Sequence, residues 1–371
     1  MAALQERSAT GATRAWVNSA DSHVLEPDDI WDATLPERLA KRAPRAEREG
    51  EREILYIDGE VVRRDPIAYT EAIRPPGARD PRQRLVDLDQ EGIWCELVFP
   101  SRGLWVPLIR DPELVAACCR AYNEWLAAEF LPVSPRFIGV ATLPALDTDD
   151  ALAELTRSID LGYRVALLPA AAPPGRPYND PTWEPLWAAL ADAGMPVCFH
   201  AGSGSDPIVN RGPGGAIINY VETFFPVQRT LAQIIAAGIL ERHEQLHLVF
   251  VEGGASWIPS MMDRMDEAYR QHDMFVHPRL SAPPSEFLVR QVSATFQHDL
   301  AIRATIDVTG PDPIMWGSDY PHLEGTFGHT QAALEQAFAG VDPDLRFAVT
   351  TDNFTKLFGG PAPRAHAGAD S

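Results

Sequence analysis

The sequence predicts an α/β fold: a distorted (β/α)8 TIM barrel with insertions after its first and sixth strands, occupying residues 16–360 as one domain. Three observations carry that expectation. Eight short apolar runs recur along the chain, helical patterns separate them, and 371 residues suit one large barrel better than a minimal domain. Short apolar runs spaced by helices are the pattern of parallel strands covered on both faces. Eight repeats favour closure over an open sheet.

In chain order, the first run covers residues 16–20 and leads into Asp21, Ser22 and His23. Helical pattern 82–90 precedes the second run, 93–99, and 112–130 precedes the third, 137–143. Pattern 148–160 leads to the fourth run at 163–168, and 182–193 to the fifth at 196–200. Pattern 223–236 comes before the sixth run at 246–251. The segments near 258–269 and 300–307 precede the last two, 294–296 and 314–317, and helices at 330–338 and 351–358 follow. Two stretches break this rhythm. Residues 31–80 carry Pro, Arg and Glu, with a hairpin at 54–62 turning at Asp58-Gly59; residues 271–290 hold Pro278, Pro283 and Pro284. Both follow strand ends, where barrel insertions build pockets and lids. Residues 1–15 and 361–371 are small and polar and read as disordered tails.

Composition narrows the function. With 32 basic and 52 acidic residues, the net charge of −20 disfavours nucleic acid and anionic membranes through long-range repulsion. The four cysteines, Cys95, Cys118, Cys119 and Cys198, form no C-x-x-C pair and sit in apolar or helical patterns, as buried thiols do. No apolar run approaches the ~20 residues of a membrane span, and the first residues lack the apolar middle of a signal peptide. A cytoplasmic enzyme acting on a small molecule is the expectation.

In a parallel barrel the strand C-termini meet on one face, so side chains just beyond each run can converge. Those positions hold Asp21 and His23, then His200, Glu252, Asp319 and His322. Asp21 and His23 are two apart, which in an extended strand places them on one side. Imidazole with carboxylate suits Zn, Mn or Fe in the divalent state. Asp21, His23, His200 and Asp319 are therefore the expected metal ligands, with Glu252 and His322 as further ligands or as proton carriers beside Asp319. Singly each has an ordinary structural explanation. Together, at four separate strand ends, they do not.

These residues resemble the amidohydrolase superfamily, and within it the aminocarboxymuconate-semialdehyde decarboxylase-like branch, often labelled amidohydrolase 2. The likeness rests on ADSHVLEP, RLVDLDQEGI, MPVCFHAG, FVEGGASWIP, WGSDYPH and DNFTKLFG, spread over most of residues 17–360. It implies a distorted barrel with a catalytic zinc or manganese in its mouth, and maps the ligands onto Asp21, His23, His200 and Asp319. Two departures stand out. The family's first-strand pair is commonly His-x-His, whereas Asp21 here adds an oxygen donor that favours harder ions. Decarboxylating members usually carry a proton-transferring histidine where this chain has Glu252.

Three carboxylates, Asp21, Glu252 and Asp319, would face one dication. The fourth run shows no lysine or glutamate at Leu168 to bridge two ions, so one ion is expected. The preferred reaction is hydrolysis of an amide, lactone, ester or thioester by metal-activated water, with Asp319 or Glu252 moving the proton and His322 assisting. The alternative is nonoxidative decarboxylation of an aromatic or unsaturated acid, its carboxylate held by Arg74, Arg79 or Arg102. A barrel that only binds a ligand would not need so full a donor set. Trp257, together with Trp105, Phe224, Phe225 and Phe275, is expected to wall an apolar substrate site. By analogy with the family, a homodimer is plausible.

Overall fold

The computed structural model describes residues 5–7, 13–206 and 209–361. Its framework is parallel. The first strand, Val17–Ser19, resumes at His23–Val24, and both parts pair with the second, Ile93–Pro100. The third is split into Phe137–Gly139, which pairs with the second, and Ala141–Thr142, which pairs with the fourth, Ala166–Pro169. The fifth (Val197–His200), sixth (Leu248–Val251), seventh (Val292–Phe296) and eighth (Ile314–Trp316) continue the same ladder, each parallel to its predecessor. Backbone bonds also join the eighth strand to the first. Ala20 N–H donates to Trp316 at 3.0 Å and Asp319 N–H to Asp21 at 2.9 Å, and Ser22 and Tyr320 form a parallel bridge.

Both faces of these strands are buried, which is why the runs read as continuously apolar. Cys95, Leu97, Phe99, Cys198, Val249, Val251 and Met315 form one core, whereas Val98, Val197, Phe199, Leu248 and Phe250 pack with the helix side chains of another. The alternation fixes polarity at the strand ends: since Phe199 faces the helices, His200 shares the side of Cys198.

The stretch after the first strand is an antiparallel sheet of Arg45–Glu49, Arg52–Ile57 and Glu60–Pro66. Its second and third strands form the expected hairpin, with Asp58 and Gly59 at φ 54° and 82°. The strand Arg45–Glu49 was not expected; RAERE has no apolar period, and backbone pairing alone makes it extended. After the sixth strand, the segment expected as an irregular lid is partly helical. Helix Ile258–Gln271 runs into a short turn, and Pro284–Gln291 is a second helix. A further excursion follows the fifth strand and ends in helix Gly215–Glu222. Within the expected N-terminal tail, Gln5–Arg7 and Thr13–Ala15 form an antiparallel ladder. The C-terminal tail from residue 362 lies outside the described residues. Among the described residues no helix is long and apolar enough to cross a membrane, and all four cysteines are free and buried.

Candidate active site

The strand ends bring Asp21, His23, His200 and Asp319 together, each fully buried. His200 Nε2 lies 3.3 Å from Asp21 Oδ1, and His23 Nε2 lies 3.6 Å from Asp21 Oδ1 and 3.4 Å from Asp319 Oδ1. The outer ring nitrogens set the tautomers. His23 Nδ1 faces Pro100 O at 2.9 Å and His200 Nδ1 faces Ala201 O at 2.9 Å, so each donates there and leaves its Nε2 lone pair inward. Burial, with the charge on His322, holds the His23 pKa below its ordinary value, which keeps the ring neutral and ligating.

Two imidazole nitrogens thus converge on carboxylate oxygens. His23 Nε2 and Asp319 Oδ2 are buried without a hydrogen-bond partner among the described residues. Acceptors facing acceptors in a dry site repel unless a cation lies between them. The donor set, two imidazoles and two carboxylates, fits a divalent transition ion such as manganese, iron or zinc.

The other two expected residues join the same cluster. His322 Nδ1 sits 2.8 Å from Asp319 Oδ1, and its pKa is raised to about 9 chiefly by that carboxylate working against burial. Asp319 is correspondingly held below the usual carboxylate range by His322 and His23, against the cost of burial. Glu252 Oε2 lies 3.4 Å from His200 Nδ1. Burial raises the Glu252 pKa well above normal, and the charges of Asp319 and Asp21 add to it. Glu252 and Asp319 both adopt left-handed backbone, φ 60° and 53°. Strand alternation would put Glu252 on the same side as Phe250, toward the helices; the left-handed turn instead brings its carboxylate to His200. Such strain, on the order of 1 kcal/mol or more per residue, persists where surrounding structure enforces it.

Glu324 belongs to this cluster and was not singled out from sequence: Glu252, Asp319, His322 and Glu324 offer atoms within 4.8 Å of one another. It lies two residues past His322 in an irregular turn, where no periodicity marks it. A buried network behind the ligands was also missed. Arg84, fully buried, donates from Nε and Nη2 to Glu96 at 2.9 and 3.1 Å and from Nη1 to His23 O at 3.0 Å. Its guanidinium carbon lies 3.7 Å from the Tyr320 ring centroid. Tyr320 O–H donates to Asp87 at 2.7 Å, and Ser22 O–H to Glu96 at 2.7 Å. Arg84 and Asp87 share the buried side of helix Pro81–Glu91 at i, i+3 spacing. The signal was the polar pair inside RLVDLDQEGI.

A cavity of about 1030 Å³ opens over Glu252, His322 and Glu324. Arg102, Arg74, Trp105, Phe224 and Phe225 line it. Arg102 and Arg79 both pair with Asp28, and Arg74 pairs with Glu53, so each expected carboxylate anchor already has a counter-ion. Trp257 is placed elsewhere. Its indole packs edge-on against Phe250, its N–H donates to Gly254 O at 2.7 Å, and it is not among the cavity's lining residues. Phe275 is likewise outside the lining and 75% exposed.

Parallel strands with a histidine–aspartate donor set at their C-terminal ends define a metal-dependent class of α/β proteins. The sequence model of the amidohydrolase family matches residues 76–360. The chain belongs to the amidohydrolase family. Decarboxylase orsB of Emericella nidulans is 29% identical over 166 residues, which span 41% of this chain and 49% of that relative. The chain thus matches about half the length of that protein. Gamma-resorcylate decarboxylase of Rhodococcus jostii is 26% identical over 257 residues, 64% of this chain and 76% of the relative. An amidohydrolase from Mycobacterium avium subsp. paratuberculosis superposes with a TM-score of 0.77 at 22% identity, covering 93% of this chain and 98% of that one. Dihydroxybenzoic acid decarboxylase from a Polaromonas species, with bound manganese and 2-nitroresorcinol, gives 0.64 at 18% identity over 92% and 96%.

Proposed function

We propose that the protein is a metal-dependent nonoxidative decarboxylase of an aromatic or unsaturated carboxylic acid, using one divalent ion, manganese first among the candidates. The strands are read here as a closed barrel, supported by the backbone bonds between the first and eighth. The observation that carries the metal reading is that His23 Nε2 and Asp319 Oδ2 are both buried without a hydrogen-bond partner among the described residues, with His23 Nε2 3.4 Å from Asp319 Oδ1. The choice of reaction leans on the relatives, whose names are those of decarboxylases. It replaces hydrolysis as the leading reading.

When bound, the cation supplies positive charge to hold the substrate carboxylate with a neighbouring oxygen and to stabilise charge developing on the ring. The chain's own residues supply the rest. Loss of carbon dioxide requires a proton at the carbon that bore it, delivered by a group kept protonated beside the substrate. Glu252 meets that description through its burial and the carboxylates around it. His322, held cationic by Asp319, fixes that aspartate and offsets negative charge beside the substrate.

Hydrolysis stays as a second reading because of Glu252, a carboxyl where decarboxylating relatives usually place histidine. Incubating manganese-loaded protein in heavy-oxygen water with hydroxylated aromatic acids and, separately, with aromatic lactones and esters tests both. Carbon dioxide release without heavy oxygen in the remaining product is expected. Heavy-oxygen incorporation without carbon dioxide would overturn the decarboxylase reading in favour of hydrolysis.

A further inference from the structure

The cavity above the metal-competent cluster is larger than a single-ring acid requires. At about 1030 Å³ it lies at the upper end of the ~300–1,000 Å³ that encloses a drug-sized ligand.

Its wall away from the cluster is mixed: Arg63, Asp65, Arg211 and Arg229 share it with large apolar side chains. The first-strand insertion contributes Leu55 and Ile73, and Trp105 follows the second strand. The excursion after the fifth strand contributes Val209, Tyr220 and Phe225, which are 68%, 53% and 50% exposed although they line the cavity. Large apolar side chains held open to water beside a polar reaction centre are the pattern of a ligand site. Glu252, His322 and Glu324 line the cavity at the cluster end.

We infer that the substrate is a bulky acid: a carboxylate held at the cluster, with an apolar body larger than one ring lying against Trp105, Tyr220 and Phe225. The inference rests on the proposed reaction only for the carboxylate; the apolar body is argued from the cavity alone.

Calorimetric titration of manganese-loaded protein with 2-hydroxybenzoate, 1-hydroxy-2-naphthoate and 3-phenyl-2-hydroxybenzoate tests it. The dissociation constant is expected to fall at least tenfold from the first acid to the larger two. Phe225→Ala, at a half-exposed position, is expected to erase most of that gain. Equal or tighter binding of the single-ring acid overturns the inference, as does failure of all three to bind. Tight binding of a bulky acid without carbon dioxide release instead refutes the proposed reaction and leaves the substrate class standing.

Discussion

At the scale of single residues, the site is a contest between burial and charge. His200 presents its Nε2 inward because Nδ1 is committed to Ala201 O, and no other strand-end group replaces that nitrogen. His200→Ala is expected to abolish bound metal, read by elemental analysis, with circular dichroism unchanged; retained metal and turnover would contradict the ligand assignment. Glu252 separates ligation from proton transfer. Glu252→Gln keeps size and hydrogen bonding but removes the acidic proton, so kcat should fall about 10²–10⁴-fold while metal content stays the same. Full turnover by this variant would remove Glu252 from the reaction. Bound metal opposes the burial that raises the Glu252 pKa, so the basic limb of the pH–rate profile reports the balance. Gly317 is constrained in another way. A Cβ there would stand 2.5 Å from Asp21 Cβ, so Gly317→Ala must displace the first-strand ligand. A loss of metal affinity with roughly 1–3 kcal/mol of destabilisation is expected from denaturant titration in the absence of metal.

At the scale of elements, the proposed ligands on different strands are held in register by one helix. Arg84 on helix Pro81–Glu91 grips Glu96 of the second strand and the carbonyl of His23, while its face stacks on Tyr320, the neighbour of Asp319. Removing the charge would strand Glu96 in the core, whereas Arg84→Lys keeps the charge and loses the fork and the stacking. Arg84→Lys is therefore expected to weaken manganese binding about 10–100-fold, the usual cost of losing an outer partner of a metal ligand. An unchanged manganese dissociation constant would reduce Arg84 to a purely structural ion pair. This arrangement also shows what was legible beforehand. The strand runs, the hairpin at Asp58-Gly59 and the four strand-end donors were readable because periodicity and strand polarity are local. The Arg84 network was not, since a buried arginine looks like any helix-surface arginine until its partner on another strand is known. Trp257 misled for a related reason: following a strand end does not decide which way an indole turns, and here Phe250 and Gly254 O claim it. The wall from Val209 to Phe225 was only partly seen, because the Gly-rich stretch before it carries no period.

At the scale of the whole molecule, pH acts through groups whose charge the fold suppresses or enforces. His247, at the start of the sixth strand, is partly buried with Nε2 2.9 Å from Ser293 Oγ, and desolvation lowers its pKa to about 4. In the unfolded chain it takes a proton near pH 6.5, but in the folded protein only near pH 4. The unfolded state therefore binds more protons throughout that interval, and stability is expected to fall as pH drops from about 6.5 to about 4. Glu184 acts lower down. Its pair with Arg242 brings its pKa to about 2, so the stability it contributes is present above pH 4.5 and is lost as pH falls toward 2. The two windows barely overlap, which makes the histidine's share measurable. His247→Gln removes the titration and keeps a hydrogen-bonding group near Ser293. With metal-loaded protein on both sides, metal release on acidification is common to the two and cancels in the difference. Urea unfolding of wild type and His247→Gln from pH 7.5 to 4 should give curves that converge or cross as pH falls, because only the wild type carries the histidine's loss. Curves that stay parallel across the interval would mean that His247 titrates normally in the folded protein, and that its burial is too loose to exclude the charged ring.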